Sequence, residues 1–162
     1  MSSESLTKCT GAASALTIRR ADVADLDQLT PLFDAYRLFY QQPPDSVAAR
    51  RFLQQRIERD ESISFLAARD GSALGFMQLY PVFSSTALRR LWLLNDLFVA
   101  PQARSAGVGR ALVLHAEAWA HETTAQGIFL RTAITNAPAQ GLYESLGYVR
   151  NTEFYRYDRI FG

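Results

Sequence analysis

The period of the apolar positions changes along this chain, and each change marks an element. Residues 16–20, Leu-Thr-Ile-Arg-Arg, alternate as a strand with one buried face does. Leu26, Leu29, Leu32, Phe33 and Tyr36 then recur at helical spacing behind Asp22, a residue suited to cap a helix start. Pro43-Pro44-Asp45 stops that helix, and Asp45 or Ser46 caps a second one to about residue 59, with Val47, Phe52, Leu53 and Ile57 turned inward. Apolar runs at 64–69, 73–80 and 88–99 have strand length, and Asp70-Gly71 between the first two predicts a tight hairpin. Over 106–123 the period returns to helical, with Val108, Leu112, Ala116 and Trp119 along one stripe. A strand at 127–132, a short helix at 137–146 stopped by Gly147, and closing strands at 148–150 and 153–160 complete the pattern.

This order, β-αα-βββ-α-β-α-ββ, predicts a mixed α/β fold with a largely antiparallel central sheet and one late β-α-β unit. The chain has 162 residues, 48% of them hydrophobic, which suits one domain over 16–162 behind a polar tail, 1–15, expected to be disordered. Charge adds only exclusions. With 17 basic and 16 acidic residues well mixed, the chain lacks the footprint of a nucleic-acid binder. Its apolar runs fall far short of the roughly 20 residues that span a bilayer, and the tail has no apolar signal region, so no membrane partner and a cytoplasmic location are expected. Cys9, the single cysteine, lies in the tail, where no scaffold can hold a base beside it. His115 and His121 have no companions at ligand spacing, and both read as structural or solvated, with no metal.

The chemistry concentrates where the strand 88–99 turns into the helix that follows. Arg104-Ser105-Ala106-Gly107-Val108-Gly109-Arg110 carries two glycines and two fixed charges at a helix start, where the first amides have no intrahelical acceptor and can donate to an anion. A tight packing turn would look the same on spacing alone. A dinucleotide fingerprint fits poorly, because the third glycine is missing and an apolar strand occupies the place of the expected acid. A Walker loop is excluded by the lack of a Gly-Lys-Ser/Thr end.

Arg104-x-x-Gly107-x-Gly109 after a Leu-Phe-Val strand, followed by Asn136-x-x-Ala139 and by Leu142-Tyr143-x-x-Leu146-Gly147-Tyr148, resembles the GCN5-related N-acetyltransferases. The segments Gly75 to Tyr80 and Leu94 to Val99 are most similar to the diamine/polyamine branch, the spermidine/spermine type. The resemblance implies that the fourth and fifth strands splay and that acetyl-CoA wedges between them. Its pantetheine would pair with Leu97, Phe98 and Val99, its pyrophosphate would sit on residues 104–110, and Asn136 and Ala139 would lie nearby. It also implies that Tyr143 protonates the departing thiolate and that an amide near Phe98 or Val99 polarises the carbonyl; Tyr148 and Tyr155 are fallback phenols that read first as packing residues. No metal is implied.

Each of these residues also has a plainer reading. Tyr143 can be a core tyrosine, and Asn136 an N-cap supported by Pro138. Asn95 and Asp96 should face opposite sides of a regular strand, so at most one reaches a substrate. The resembling branch carries Glu where this chain has Asn95, and Asn95 takes no proton, which leaves Asp96, Glu144 or water as the base. In the resembling family the segment after the first helix and the region around 80–85 wall the acceptor pocket, which implies Phe39, Tyr40 and Tyr80 as acceptor contacts, and aromatic faces suit a charged amine. The expected reaction is direct acetyl transfer from acetyl-CoA to a primary amine of a small molecule. The alternatives are a noncatalytic acyl-CoA-binding domain and a peptide or protein lysine acetyltransferase. The aromatic C-terminus, 154–161, offers a surface for a homodimer.

Overall fold

The computed structural model describes residues 14–161, so Cys9 and most of the expected tail lie outside them. It divides into two compact units at Leu130 and Arg131. In the first unit, β1 (Thr17–Arg20), α1 (Leu26–Phe39), α2 (Ser46–Glu58), β2 (Ile63–Arg69), β3 (Ser72–Ser84), β4 (Arg89–Val99), α3 (Val108–Glu122) and β5 (Ile128–Leu130) follow one another. The five strands lie side by side in chain order, antiparallel from β1 to β4, with β5 parallel to β4. The single parallel pair is the one joined by a helix, as a parallel connection requires.

Local chemistry accounts for the boundaries. Asp70 and Gly71 have φ of 51° and 74°, and this pair of left-handed residues closes a two-residue hairpin between Arg69 and Ser72. Asp22 caps a short turn ahead of α1 and accepts from the Ala24 amide at 2.7 Å, while Asp25 accepts from the Asp22 amide at 3.0 Å. Asp45 caps α2 through the Ala48 amide at 2.9 Å. Gly75 has to be glycine, since a Cβ there would stand 2.7 Å from the Phe98 carbonyl oxygen on β4.

Helices cover both faces of the sheet. Leu66, Phe76 and Phe98 pack with Leu26, Leu29 and Phe33 of α1 and with Ala49 and Leu53 of α2. On the opposite face, Phe65 stands edge-on to His115 at 4.7 Å, and the Trp92 indole donates to Thr123 at 2.9 Å. His115 is thus a packing residue, while His121 is exposed. Truncating a ring as buried as Phe76 would cost about 3–5 kcal/mol. The inward face predicted for α2 is narrower in the structure. Val47 is 79% exposed and Phe52 37%, because the helix meets its neighbours along the i, i+4 seam of Ala49 and Leu53.

The second unit contains α4 (Ala137–Ser145). Its end is a Schellman stop: Gly147 sits at φ 88°, its amide donates to Glu144, and the Tyr148 amide donates to Tyr143, with the two tyrosine rings 5.8 Å apart. The closing strands expected at 148–150 and 153–160 do not form. Asn151 accepts from the amides of Glu153 and Phe154 at 2.9 and 3.1 Å, a local turn that competes with a strand ladder.

Candidate active site

The site grows from an irregularity in β4. Gln78 pairs with Asp96, but the next residue of β3, Leu79, pairs with Leu94, so Asn95 is an extra residue in the ladder. A bulge of this kind re-aims every side chain beyond it. Trp92 packs on Trp119 of α3, whereas Phe98, six residues on and in the same alternation, packs on Tyr36 of α1. Asp96 therefore points to the α1 and α2 face.

Asn95 is exposed and Asp96 buried, as residues facing apart would be, yet at the bulge the two side chains meet. The Asn95 amide nitrogen lies 3.1 Å from both carboxylate oxygens of Asp96. Tyr36 of α1 also favours the charged form of the same carboxylate. Asp96 is only 5% exposed, and burial raises its pKa above the ordinary carboxylate range against the pull of these two residues. Tyr80, on β3, is pushed up to about 12, chiefly by burial and then by the negative charge of Asp96. Gln78, opposite Asp96, donates from its amide nitrogen to Ser62 at 2.7 Å.

Tyr36 belongs to this group and was hidden in the sequence as one more apolar position of a helical stripe. Its ring stands edge-on to Phe76 at 5.9 Å and to Tyr40 at 5.0 Å. Phe39 and Tyr40 continue the aromatic row outward, 55% and 45% exposed, with ring centroids 5.2 Å apart. The candidate acceptor residues Phe39 and Tyr40 are thereby linked through Tyr36 to Asp96, and Tyr80 lies within the electrostatic reach of the same carboxylate.

Beyond the bulge, the parallel pairing ends at Leu94 and Leu130, and among the described residues 95–99 have a strand partner on the β3 side alone. The turn follows. Ser105 and Gly107 both have positive φ, 62° and 78°, residues 104–107 are exposed, and no side chain caps the start of α3. A non-glycine residue in the left-handed region costs energy, and such positions gather at ligand sites. At Gly107 nothing lies within 4 Å of where a Cβ would be, so glycine is needed for its backbone angle and leaves the amides approachable. Arg104 folds back to donate to the Val99 carbonyl at 3.2 Å, with its guanidinium 5.8 Å from the Phe98 ring. Together the turn and the first amides of α3 present donors and positive charge to an anion.

In the second unit, Asn136 caps α4 by accepting from the Ala139 amide at 3.3 Å. Tyr143, 8% exposed, is fixed by the Schellman stop described above. Glu144, the alternative base, is exposed and pairs with Arg150 at 2.7 Å. Among the described residues no three His, Cys, Asp or Glu side chains converge as a metal site would require, and no helix is long and apolar enough to cross a membrane.

Comparison with known proteins identifies the family of this fold. The sequence model of the Acetyltransferase (GNAT) family matches residues 27–148. A Bacillus subtilis protein named uncharacterized N-acetyltransferase YhfO is 42% identical over 142 residues, 88% of this chain and 95% of its own. The aminoglycoside N(6')-acetyltransferase type 1 of Klebsiella aerogenes is 31% identical over 60% of this chain and 65% of its own. Among solved structures, that of a probable acetyltransferase superposes with a TM-score of 0.86 at 41% identity, covering 90% of this chain and 98% of the other.

Proposed function

The chain belongs to the GNAT family of acetyltransferases, and from that premise we propose that it transfers the acetyl group of acetyl-CoA directly to a primary amine of a small molecule. The observation that carries this reading is the far end of β4, where a buried carboxylate at a bulge precedes a strand edge and an exposed, positively charged turn. Residues 104–110 would hold the pyrophosphate, Leu97, Phe98 and Val99 the pantetheine, and Asn136 and Ala139 would contribute from α4. The neutral amine attacks the thioester carbon, an oxyanion forms near the amide of Phe98 or Val99, and the C–S bond breaks. Tyr143 returns a proton to the thiolate. Positioning supplies most of the acceleration in such a scheme.

The acceptor proton needs a destination, since an alkylammonium has a pKa of about 10 and must lose one proton before it attacks. Asp96 takes that role, directly or through one water, because its burial moves it toward the basicity a general base needs. Asn95, in place of the branch's Glu, orients the carboxylate by its double contact. The row Tyr36, Tyr40 and Phe39 offers aromatic faces to an amine that arrives charged. A diamine, a polyamine or an aminated sugar combines a reacting amine with a second cation for those faces. A cytoplasmic location is consistent with an acetyl-CoA-dependent reaction, and the exposed aromatic residues of 154–161 suit a homodimer.

Release of free thiol from acetyl-CoA across a panel of diamines, polyamines, aminoglycosides, amino acids and lysine-bearing proteins tests this reading. Turnover should be confined to free amines. Acetylation of folded-protein lysines alone would reject the acceptor class, and acetyl-CoA binding without thiol release on any amine would leave a binding domain. Gly107→Asp, which adds charge and bulk to the turn, should abolish acetyl-CoA binding by calorimetry, and unchanged affinity would misplace the pyrophosphate. Tyr143→Phe should lower turnover about 10²–10⁴-fold with acetyl-CoA affinity kept.

A further inference from the structure

We propose that Arg104 couples the two halves of the acetyl-CoA site, holding the Val99 carbonyl at the open edge of β4 in the free chain and giving it up to pantetheine when an anion draws the guanidinium onto the turn. The inference rests on the acetyl-CoA placement proposed above and goes beyond it, since that placement uses Arg104 only as a positive charge beside the pyrophosphate.

The register of the sheet shows which backbone groups of β4 are on offer. Val99 pairs with Gly75, and the next amide along, that of Ala100, donates to the Leu74 carbonyl at 2.9 Å. Hydrogen-bonded and non-bonded pairs alternate in an antiparallel ladder, so Phe98 and Ala100 turn their amides and carbonyls toward β3, whereas Leu97 and Val99 turn theirs the other way. On that other side the pairing with β5 has already ended, at Leu94 and Leu130. Among the described residues Leu97 and Val99 therefore form an open edge, the kind of backbone row to which an extended, amide-bearing chain adds as a further strand.

Arg104 occupies one end of that row. The short turn Pro101–Ala103, closed by the Ala103 amide on the Ala100 carbonyl at 2.8 Å, brings the side chain back over the strand. There its Nε donates to the Val99 carbonyl at 3.2 Å, and its guanidinium lies 5.8 Å from the Phe98 ring. The Arg104 Nε and a pantetheine amide would thus compete for one acceptor from the same side. An anion on the turn decides between them, because Arg104 stands at its rim and a phosphate offers the planar guanidinium paired, ion-to-ion hydrogen bonds that a single neutral carbonyl cannot match. Such coupling is reciprocal: an anion that lifts Arg104 off Val99 strengthens pantetheine binding, and pantetheine strengthens anion binding by the same factor.

Pantetheine carries no phosphate and inorganic pyrophosphate no amide, so the two halves can be offered separately. By calorimetry, saturating pyrophosphate should tighten pantetheine binding to wild type about fivefold or more, as coupled sites do. Arg104→Ala should bind pantetheine alone as tightly as wild type binds it with pyrophosphate, and pyrophosphate should then add nothing. Carbon NMR of protein labelled at the valine carbonyls gives a second readout that needs no pantetheine, the Val99 resonance being identified by its loss in Val99→Ile. Pyrophosphate alone should move that resonance in wild type toward its position in Arg104→Ala. An unmoved resonance, or a pantetheine affinity indifferent to both pyrophosphate and the variant, would overturn the proposal. The acetyl-CoA placement fails separately. If acetyl-CoA does not bind wild type at all, the placement itself is wrong, whereas acetyl-CoA that binds and leaves the Val99 resonance where it was removes the coupling alone.

Discussion

Asp25 and Asp96 are the same residue type with nearly the same small exposure, 6% and 5%, and the protein treats their charges in opposite ways. Asp25 lies just under the surface ahead of α1, and Arg19 grips both of its oxygens, one of them at 2.6 Å, while the Asp22 amide donates at 3.0 Å. These partners hold its pKa below the ordinary carboxylate range, the Arg19 hydrogen bond contributing most. Asp96 lies deeper, has the neutral Asn95 amide in place of a guanidinium, and is raised by burial. A buried acid matched to a cation and a cap is a structural anchor, and a buried acid left short of charge compensation is a group held ready to take a proton.

The largest effect expected from this contrast is on rate. Asp96→Asn should lower kcat/KM about 10²–10⁴-fold, the usual cost of losing a positioned base, while thermal unfolding near neutral pH shows equal or greater stability, because an uncompensated buried charge is gone. A variant that loses stability with its rate would make Asp96 a second anchor. Asp25→Asn should do the reverse. It should cost about 1–3 kcal/mol in denaturant unfolding, toward the low end because Arg19 is more than half exposed, and leave turnover per folded molecule unchanged.

The smallest effect lies in the dependence of stability on pH. A depressed acid contributes stability above its unfolded pKa and loses it as pH falls through the folded value, so Asp25 should weaken the protein on acidification. A raised acid acts with the opposite sign. Asp96 favours the fold at low pH and withdraws that contribution as pH rises through its folded pKa. Unfolding measured from about pH 3 to about pH 8 should show the acid-side loss diminished in Asp25→Asn and the decline toward neutral pH diminished in Asp96→Asn. Identical curves for the two variants would erase the distinction.

The parts of the fold that were legible in the sequence are those fixed by local chemistry. Asp70-Gly71 could hardly be anything but a hairpin, Asn136 and Pro138 announce a helix start, and Gly147 announces its end. The turn at 104–107 was visible through its glycine and charge. The bulge was not. Trp92, Leu94, Asp96 and Phe98 are all buried in perfect alternation, so the sequence looks like one uninterrupted strand while the face it presents changes between Leu94 and Asp96. Tyr36 was equally hidden, since a tyrosine at a helical apolar position gives no sign of where its hydroxyl points. Residues 148–160 erred the other way, with strand-like side chains and a turn at Asn151 that prevails over them.

The claim at the centre of this account is that the carboxylate of Asp96 accepts the acceptor's proton. The pH dependence of kcat/KM for acetyl transfer to the best amine of the panel, in wild type and Asp96→Asn, tests it most directly. Wild type should show an acid limb belonging to Asp96, and in Asp96→Asn that limb should vanish, leaving a low rate governed by the amine's own ionisation. An Asp96→Asn profile that superimposes on wild type in height and shape would contradict the claim.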